Sequence, residues 1–163
     1  MSMMRQNRRR GQTIETHSGD EATVEGRPPT GRIFVGGIMQ GSIREMAVHD
    51  QDYRDVIADI IRRHHPGVAI TDPRALHPDS VHYGREEAVH TFLAMLERAA
   101  DADVLIAYLP EASLGTAIEI WQAYQAGKPV LVISPMTNNW TLWATATHIL
   151  PDLRAFEVYV AEG

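Results

Sequence analysis

The chain has 163 residues, 44% of them hydrophobic and 22% charged, which is the size and composition of one soluble globular domain with a full core. A formal charge of −6 speaks against a nucleic-acid backbone as partner, and no apolar run approaches the roughly eighteen residues of a membrane span. The lack of cysteine removes disulfides, thiol nucleophiles and thiolate metal sites together.

The first ten residues are basic, but no apolar stretch follows them, so they do not form a secretory signal and the expected compartment is the cytoplasm. Residues 1–31 lack apolar periodicity and are rich in Arg, Gly, Ser, Thr and Glu. Such a segment cannot bury enough surface to offset its ordering entropy, and it reads as a disordered tail ahead of a single domain over residues 32–163. Ordered structure begins with Ile33, Phe34 and Val35, a short apolar run closed by Gly36 and Gly37, which reads as a buried first strand. A loop over 38–42 follows.

From about Asp50, apolar residues recur at Tyr53, Val56, Ile57, Ile60 and Ile61, the spacing of an amphipathic helix. Residues 68–71 read as a second strand, and 73–84 as a loop, long enough for a connection to mark it as part of a site. A second helix is expected over 86–100, with Val89, Phe92, Leu93 and Leu96 on one face. A third strand covers 103–108, and a helix bearing Glu119 comes next. A fourth strand is expected over 129–134, a helix over 140–149 and a fifth strand over 156–160. Strands alternating with helices imply a parallel sheet covered on both faces. Five of them in this rhythm predict a flavodoxin-like three-layer α/β fold with strand order 2-1-3-4-5.

In such a sheet a ligand sits at the carboxyl ends of the strands, where the loops after the first and third strands meet. Those loops are 36–42 and 111–119. The first, Gly-Gly-Ile-Met-Gln-Gly-Ser, matches neither GxGxxG nor the Walker pattern, yet its glycines allow close backbone approach and Ser42 can donate to an anion. It also serves as an ordinary tight turn. The second places Ser113, Leu114, Gly115 and Thr116 at a helix start, where exposed N–H groups and two hydroxyls suit an anion, although taken alone the stretch reads first as an ordinary helix N-cap. Glu119, four residues after Gly115, reads as a first-turn carboxylate. It is a candidate nucleophile or general base, or a charge that merely complements the helix dipole. Of eight histidines, His77, His82 and His90 invite a metal reading, but no pair has metal-ligand spacing, and loop histidines are commonly solvated. No metal or cofactor is expected, and without a Gly-x-Ser-x-Gly elbow serine hydrolase chemistry has no support.

With Gly-Gly-Ile closing the first strand and Ser-Leu-Gly-Thr-Ala-Ile-Glu following the third, the chain resembles the nucleoside 2-deoxyribosyltransferase superfamily, including its nucleoside 5'-monophosphate N-glycosidases. The resemblance runs over residues 32–134 and is strongest over 103–129, which include the Ala-Gly-Lys-Pro-Val leading into the fourth strand. It implies the same five-stranded sheet and an obligate homo-oligomer whose sites borrow residues from a neighbour. Glu119 would be the nucleophile that attacks C1' of the sugar, following the glycosidase logic of a covalent glycosyl-enzyme. Ser113, six residues before it, matches the serine by which the monophosphate hydrolases hold phosphate, where the transferases carry aspartate. The segment with Gly36, Gly37, Ile38 and Ser42 would line the sugar and phosphate, beside Gly115. Asn138 or Asn139 of a neighbour would reach the 5' end. One departure stands out: family enzymes carry an aspartate on the helix before the third strand, and between Gly84 and Ala100 this chain has none. Either His90 or Glu87 replaces it, or the chemistry differs or is lost. Asp50 and Tyr53 are candidate sugar or base contacts, or else a cap and a core-edge tyrosine. The resulting expectation is an enzyme that cleaves or transfers the N-glycosidic bond of a nucleoside or its 5'-monophosphate, a small-molecule partner. The alternative is a non-catalytic nucleotide-binding or sensor protein on the same fold.

Overall fold

The computed structural model describes residues 31–40 and 48–162, so the expected tail, apart from Gly31, and Ser42 lie outside the described residues. Five strands, β1 (Arg32–Gly37), β2 (Ala69–Thr71), β3 (Val104–Tyr108), β4 (Val130–Ile133) and β5 (His148–Leu150), form one sheet in the order β2-β1-β3-β4-β5. Every pairing is parallel. The α/β three-layer fold read from the strand–helix alternation is therefore the observed one.

Strand residues alternate between two cores, as a period of two requires. Phe34, Leu105, Ala107, Val130 and Val132 face one layer, built from α3 (Arg85–Asp101), α4 (Leu114–Gln125) and α5 (Trp140–Thr145). Ile33, Val35, Ile106, Leu131 and Ile133 face the other, built from α1 (Asp52–His64) and α6 (Leu153–Glu162). Because both faces are covered, these strands carry no polar face and read as unbroken apolar runs.

Three expectations need correction. The segment 156–160 is not a strand but the body of α6, and the fifth strand is His148–Leu150. The alternation Phe-Glu-Val-Tyr-Val imitates a strand over five residues. The decisive signal lies just before it, where Asp152 Oδ1 accepts from Ala155 N at 2.8 Å and caps the helix. The helix that starts at Trp140 accordingly stops at Thr145 rather than 149. Second, the connection 73–84 is not plain loop. It holds a short helix, α2 (Pro73–Leu76), capped by Asp72, and a 3-10 turn at Ser80–His82. Third, the buried stripe of α3 runs through Met95 and Ala99, while Val89 and Leu93 are exposed.

Removing the α6 cap should cost the usual amount for such a residue, about 1 kcal/mol. Asp152→Ala is expected to lower the melting temperature by roughly 2–4 °C, measured by thermal denaturation with unchanged far-ultraviolet dichroism.

Candidate active site

The sheet reverses its winding between β1 and β3, and the ends of those strands bring the two informative segments together. Gly36 lies opposite Ala107, and Gly37 opposite Tyr108. The two glycines serve opposite faces. A Cβ on Gly36 would stand 2.8 Å from Glu119 Oε2, so the missing side chain is what admits the carboxylate. A Cβ on Gly37 would collide with the Tyr53 hydroxyl. Tyr53 stacks on Tyr108 with ring centroids 4.3 Å apart, and its hydroxyl donates to the Ile38 carbonyl at 3.1 Å.

Glu119 belongs to the second turn of α4, not the first, since the helix begins at Leu114 and has no acidic residue in its first turn. The dipole-complement role thereby loses its ground, because that effect fades beyond the first turn. The residue is buried, at 9% exposure, between Ile118 and Ile120 on the side of the helix that faces the sheet. Burial penalises its ionised form and pushes the pKa up to about 7, against the opposing pull of the Arg54 guanidinium. A carboxyl poised near neutrality in a cleft is the electrostatic mark of a functional group.

Arg54 is the residue that pattern reading missed. It is buried on α1, where its Nη1 donates to the Val35 carbonyl and to Asp72 Oδ1, both at 2.8 Å, and its Nε donates to Gln51 Oε1 at 2.8 Å. The available signal was a charge within the buried stripe of α1, one helical turn from Ile57 and Ala58, together with an acid at the end of the second strand.

Glu119 lines a cavity of about 180 Å³. Met39, Val48, Val81, Phe92 and Met95 give it apolar walls, and Gln40, His77, Ser80, Tyr83 and Thr91 add polar groups. The volume is below the roughly 300–1,000 Å³ of a site that engulfs a drug-sized ligand, so it suits one ring system with the rest of a ligand at the mouth. The long 73–84 connection therefore contributes a wall. His77, taken with the loop histidines as solvated, is half-buried there with Nδ1 3.1 Å from the Tyr83 hydroxyl.

The other expected residues are distributed differently. Ile38, Asp50 and Tyr53 line a separate cavity on the α1 side with His49 and Tyr108. Asp50 Oδ1 accepts from Asp52 N at 2.9 Å, a local turn bond. His49 Nε2 stands 3.2 Å from Glu111 Oε1, at ion-pair distance but not aligned as a hydrogen bond. Ser113 caps α4, accepting from Thr116 N at 3.5 Å and Thr116 Oγ1 at 3.1 Å, and Gly115 sits half-buried beside Phe92. Neither lines the Glu119 cavity. His90 and Glu87 border an outer depression with Gly84, Arg85 and Glu86. Asn138 is exposed, and Asn139 Oδ1 caps α5 by accepting from Thr141 N and Leu142 N. Among the described residues, no three His, Asp or Glu side chains gather as a metal site requires, and no helix is long and apolar enough to cross a membrane.

No family profile and no curated protein matches the sequence. Among solved structures, the chain is similar to a 2-deoxyribosyltransferase from the psychrotolerant bacterium Bacillus psychrosaccharolyticus, a biocatalyst for nucleoside synthesis. The two are 21% identical, with a TM-score of 0.58 over 77% of this chain and 90% of that one. It is also similar to a conserved protein from Enterococcus faecalis V583, at 16% identity and a TM-score of 0.56 over 82% of this chain and 98% of that one. The chain shares the transferase's fold. At these identities the likeness speaks for the architecture, and chemistry has to be argued from the cavity itself.

A buried carboxyl with a raised pKa makes a prediction about stability. In the folded protein Glu119 holds its proton up to about pH 7, whereas an exposed glutamate releases it near 4.5. Between those values the folded state binds more protons, so its stability falls as pH rises through the window. Glu119→Gln removes the buried charge. The variant should match the parent in unfolding free energy, from denaturant titration, at pH 4.5 and exceed it at pH 8, by up to about 3 kcal/mol. Equal differences at both pH values would contradict a neutral buried Glu119.

Proposed function

We propose that this protein cleaves or transfers the N-glycosidic bond of a nucleoside or its 5'-monophosphate, with Glu119 as the nucleophile. The observation that carries this reading is the Glu119 carboxylate, buried against the bare Cα of Gly36 at the β1/β3 switch point, inside a cavity of apolar walls. A fold shared with a 2-deoxyribosyltransferase supports the same class of reaction. A carboxylate oxygen so held attacks C1' as the base departs, and the glycosyl ester is resolved by water or by a second base. The apolar walls suit a flat heterocycle. The N-terminus of α4, with Ser113 and Gly115, is the proposed phosphate end, and residues 32–163 are the proposed functional unit.

An oligomer belongs to the same proposal. Val89 and Leu93 of α3, Ile118 and Trp121 of α4, and Trp140 and Trp143 of α5 are all exposed on one side of the sheet. Leu142, by contrast, is buried in its own core. Large apolar side chains concentrated in this way on one layer suit an association face. Asn138, exposed beside Trp140, is the proposed contribution to a neighbour's site. Sedimentation at micromolar concentration should give at least a dimeric mass, and Trp121→Glu should reduce it to a monomer.

The second reading, a nucleotide-binding protein without turnover, is favoured by the outward placement of His90 and Glu87, the expected replacements for the missing helix aspartate. Glu119→Gln separates the two. The amide keeps the shape but cannot form the ester to C1', so release of free base from deoxynucleosides and their monophosphates should fall at least 100-fold while binding persists. A parent protein that binds nucleotides but releases no base would instead establish the second reading. Ser113→Ala should weaken monophosphates by about tenfold to a hundredfold and free nucleosides much less, the worth of one charge-assisted bond. For the parent, kcat/KM should rise as pH climbs towards about 7, since only the ionised Glu119 can attack.

A further inference from the structure

Breaking an N-glycosidic bond leaves an electron pair on the base, and an unprotonated base is a poor leaving group. Among the described residues, three titratable side chains line the Glu119 cavity: Glu119, His77 and Tyr83. Of these types, imidazole alone ordinarily gives and takes a proton around neutrality. The segment that carries His77 is firmly built. The His77 backbone N–H donates to Pro73 at 2.9 Å, the Ser80 N–H donates to His77 at 3.2 Å, and the Tyr83 N–H donates to Ser80 at 3.2 Å. His77 Nδ1 is 3.1 Å from the Tyr83 hydroxyl with the rings nearly perpendicular, and Nε2 has no partner among the described residues. A phenol hydroxyl suits a shuttling imidazole, because it donates to Nδ1 of the neutral ring and accepts from Nδ1–H of the cation. Beside it, Ser80 is on the cavity wall, and its buried Oγ has no partner among the described residues.

We infer that His77, held by Tyr83, is the proton donor to the departing base. This rests on the glycosidic reading above. In the first step a Glu119 oxygen forms the bond to C1' and the C1'–N bond breaks with its pair on the base. The Nε2 proton of the His77 imidazolium passes to the base, which leaves neutral. In the second step neutral His77 takes a proton from water as the water oxygen bonds to C1', and the C1'–O bond to Glu119 breaks with its pair returning to the carboxylate. The sum is base plus free sugar, with both side chains restored.

The test compares the best-cleaved substrate with its N-methylated cationic counterpart, N7-methyl for a purine or N3-methyl for cytosine. Such a base leaves neutral without needing a proton. In kcat/KM, which reports the steps up to release of the base, His77→Gln should lose about 100-fold or more on the ordinary substrate, the usual worth of a general acid, and stay within threefold of the parent on the methylated one. Tyr83→Phe should show the same selectivity to a smaller degree. Equal losses on both substrates, or no loss on either, would overturn the assignment of His77 and leave Glu119 untouched. A parent protein inert on both substrates would instead overturn the glycosidic reading itself, and His77 with it. Retained cleavage of the methylated substrate doubles as proof that His77→Gln folds.

Discussion

The guanidinium of Arg54 holds the carboxyl edge of this sheet together. β2 ends opposite Phe34, while β1 runs on to Gly37, so the last residues of β1 have no strand beside them on that flank. Buried carbonyls there would be orphaned at a cost of about 1–3 kcal/mol each. Arg54 takes the place of the missing strand by donating to Val35 and, at 3.4 Å, to Gly37. Its own charge is balanced by Asp72, which simultaneously caps α2 through Arg74 N at 2.9 Å. One ion pair thus fixes the end of β1, the start of α2 and the base of the cavity wall that follows.

The same cation sets the character of Glu119 from across the β1 terminus. Burial drives that carboxyl towards the neutral form and Arg54 draws it back, and the outcome near neutrality reflects the contest. The nucleophilic role proposed for Glu119 needs both influences. Full solvation would give an ordinary, well-hydrated carboxylate, and burial alone would leave a permanent acid. Glycine at 36 is the steric side of this arrangement, since the carboxylate occupies the space where any side chain would begin.

How far the sequence reveals this depends on the range of each interaction. β1, β3 and β4 are apolar runs bounded by turn residues, and their identity follows from local pattern. Glu119 stands out because a charge between two isoleucines on a helix following a strand is locally anomalous. The β5/α6 boundary is easily misread because five alternating residues outweigh a single capping aspartate. Arg54 and the cavity position of His77 are illegible for another reason. Each acquires its meaning from partners 18 to 42 positions away or from a cavity that exists only after folding, as with Arg54 and Asp72, 18 apart, and His77 and Glu119, 42 apart. Ser113 is the converse case: its local role as a cap is plain in the chain, whereas any ligand role depends on what binds there.

The placement of the tryptophans makes the chain a ready-made optical probe. All three, Trp121, Trp140 and Trp143, are exposed and sit on α4 and α5, on one side of the sheet, and none lies in the α1/α6 layer. Intrinsic fluorescence therefore comes from indoles that are still in water after the chain has folded. Each keeps at least half of its surface in water, so folding alone shifts the emission less than full burial would, and a further blue shift reports the covering of that side by another surface. Collapse and association, which share one signal in most small domains, are spectroscopically separable here without a label.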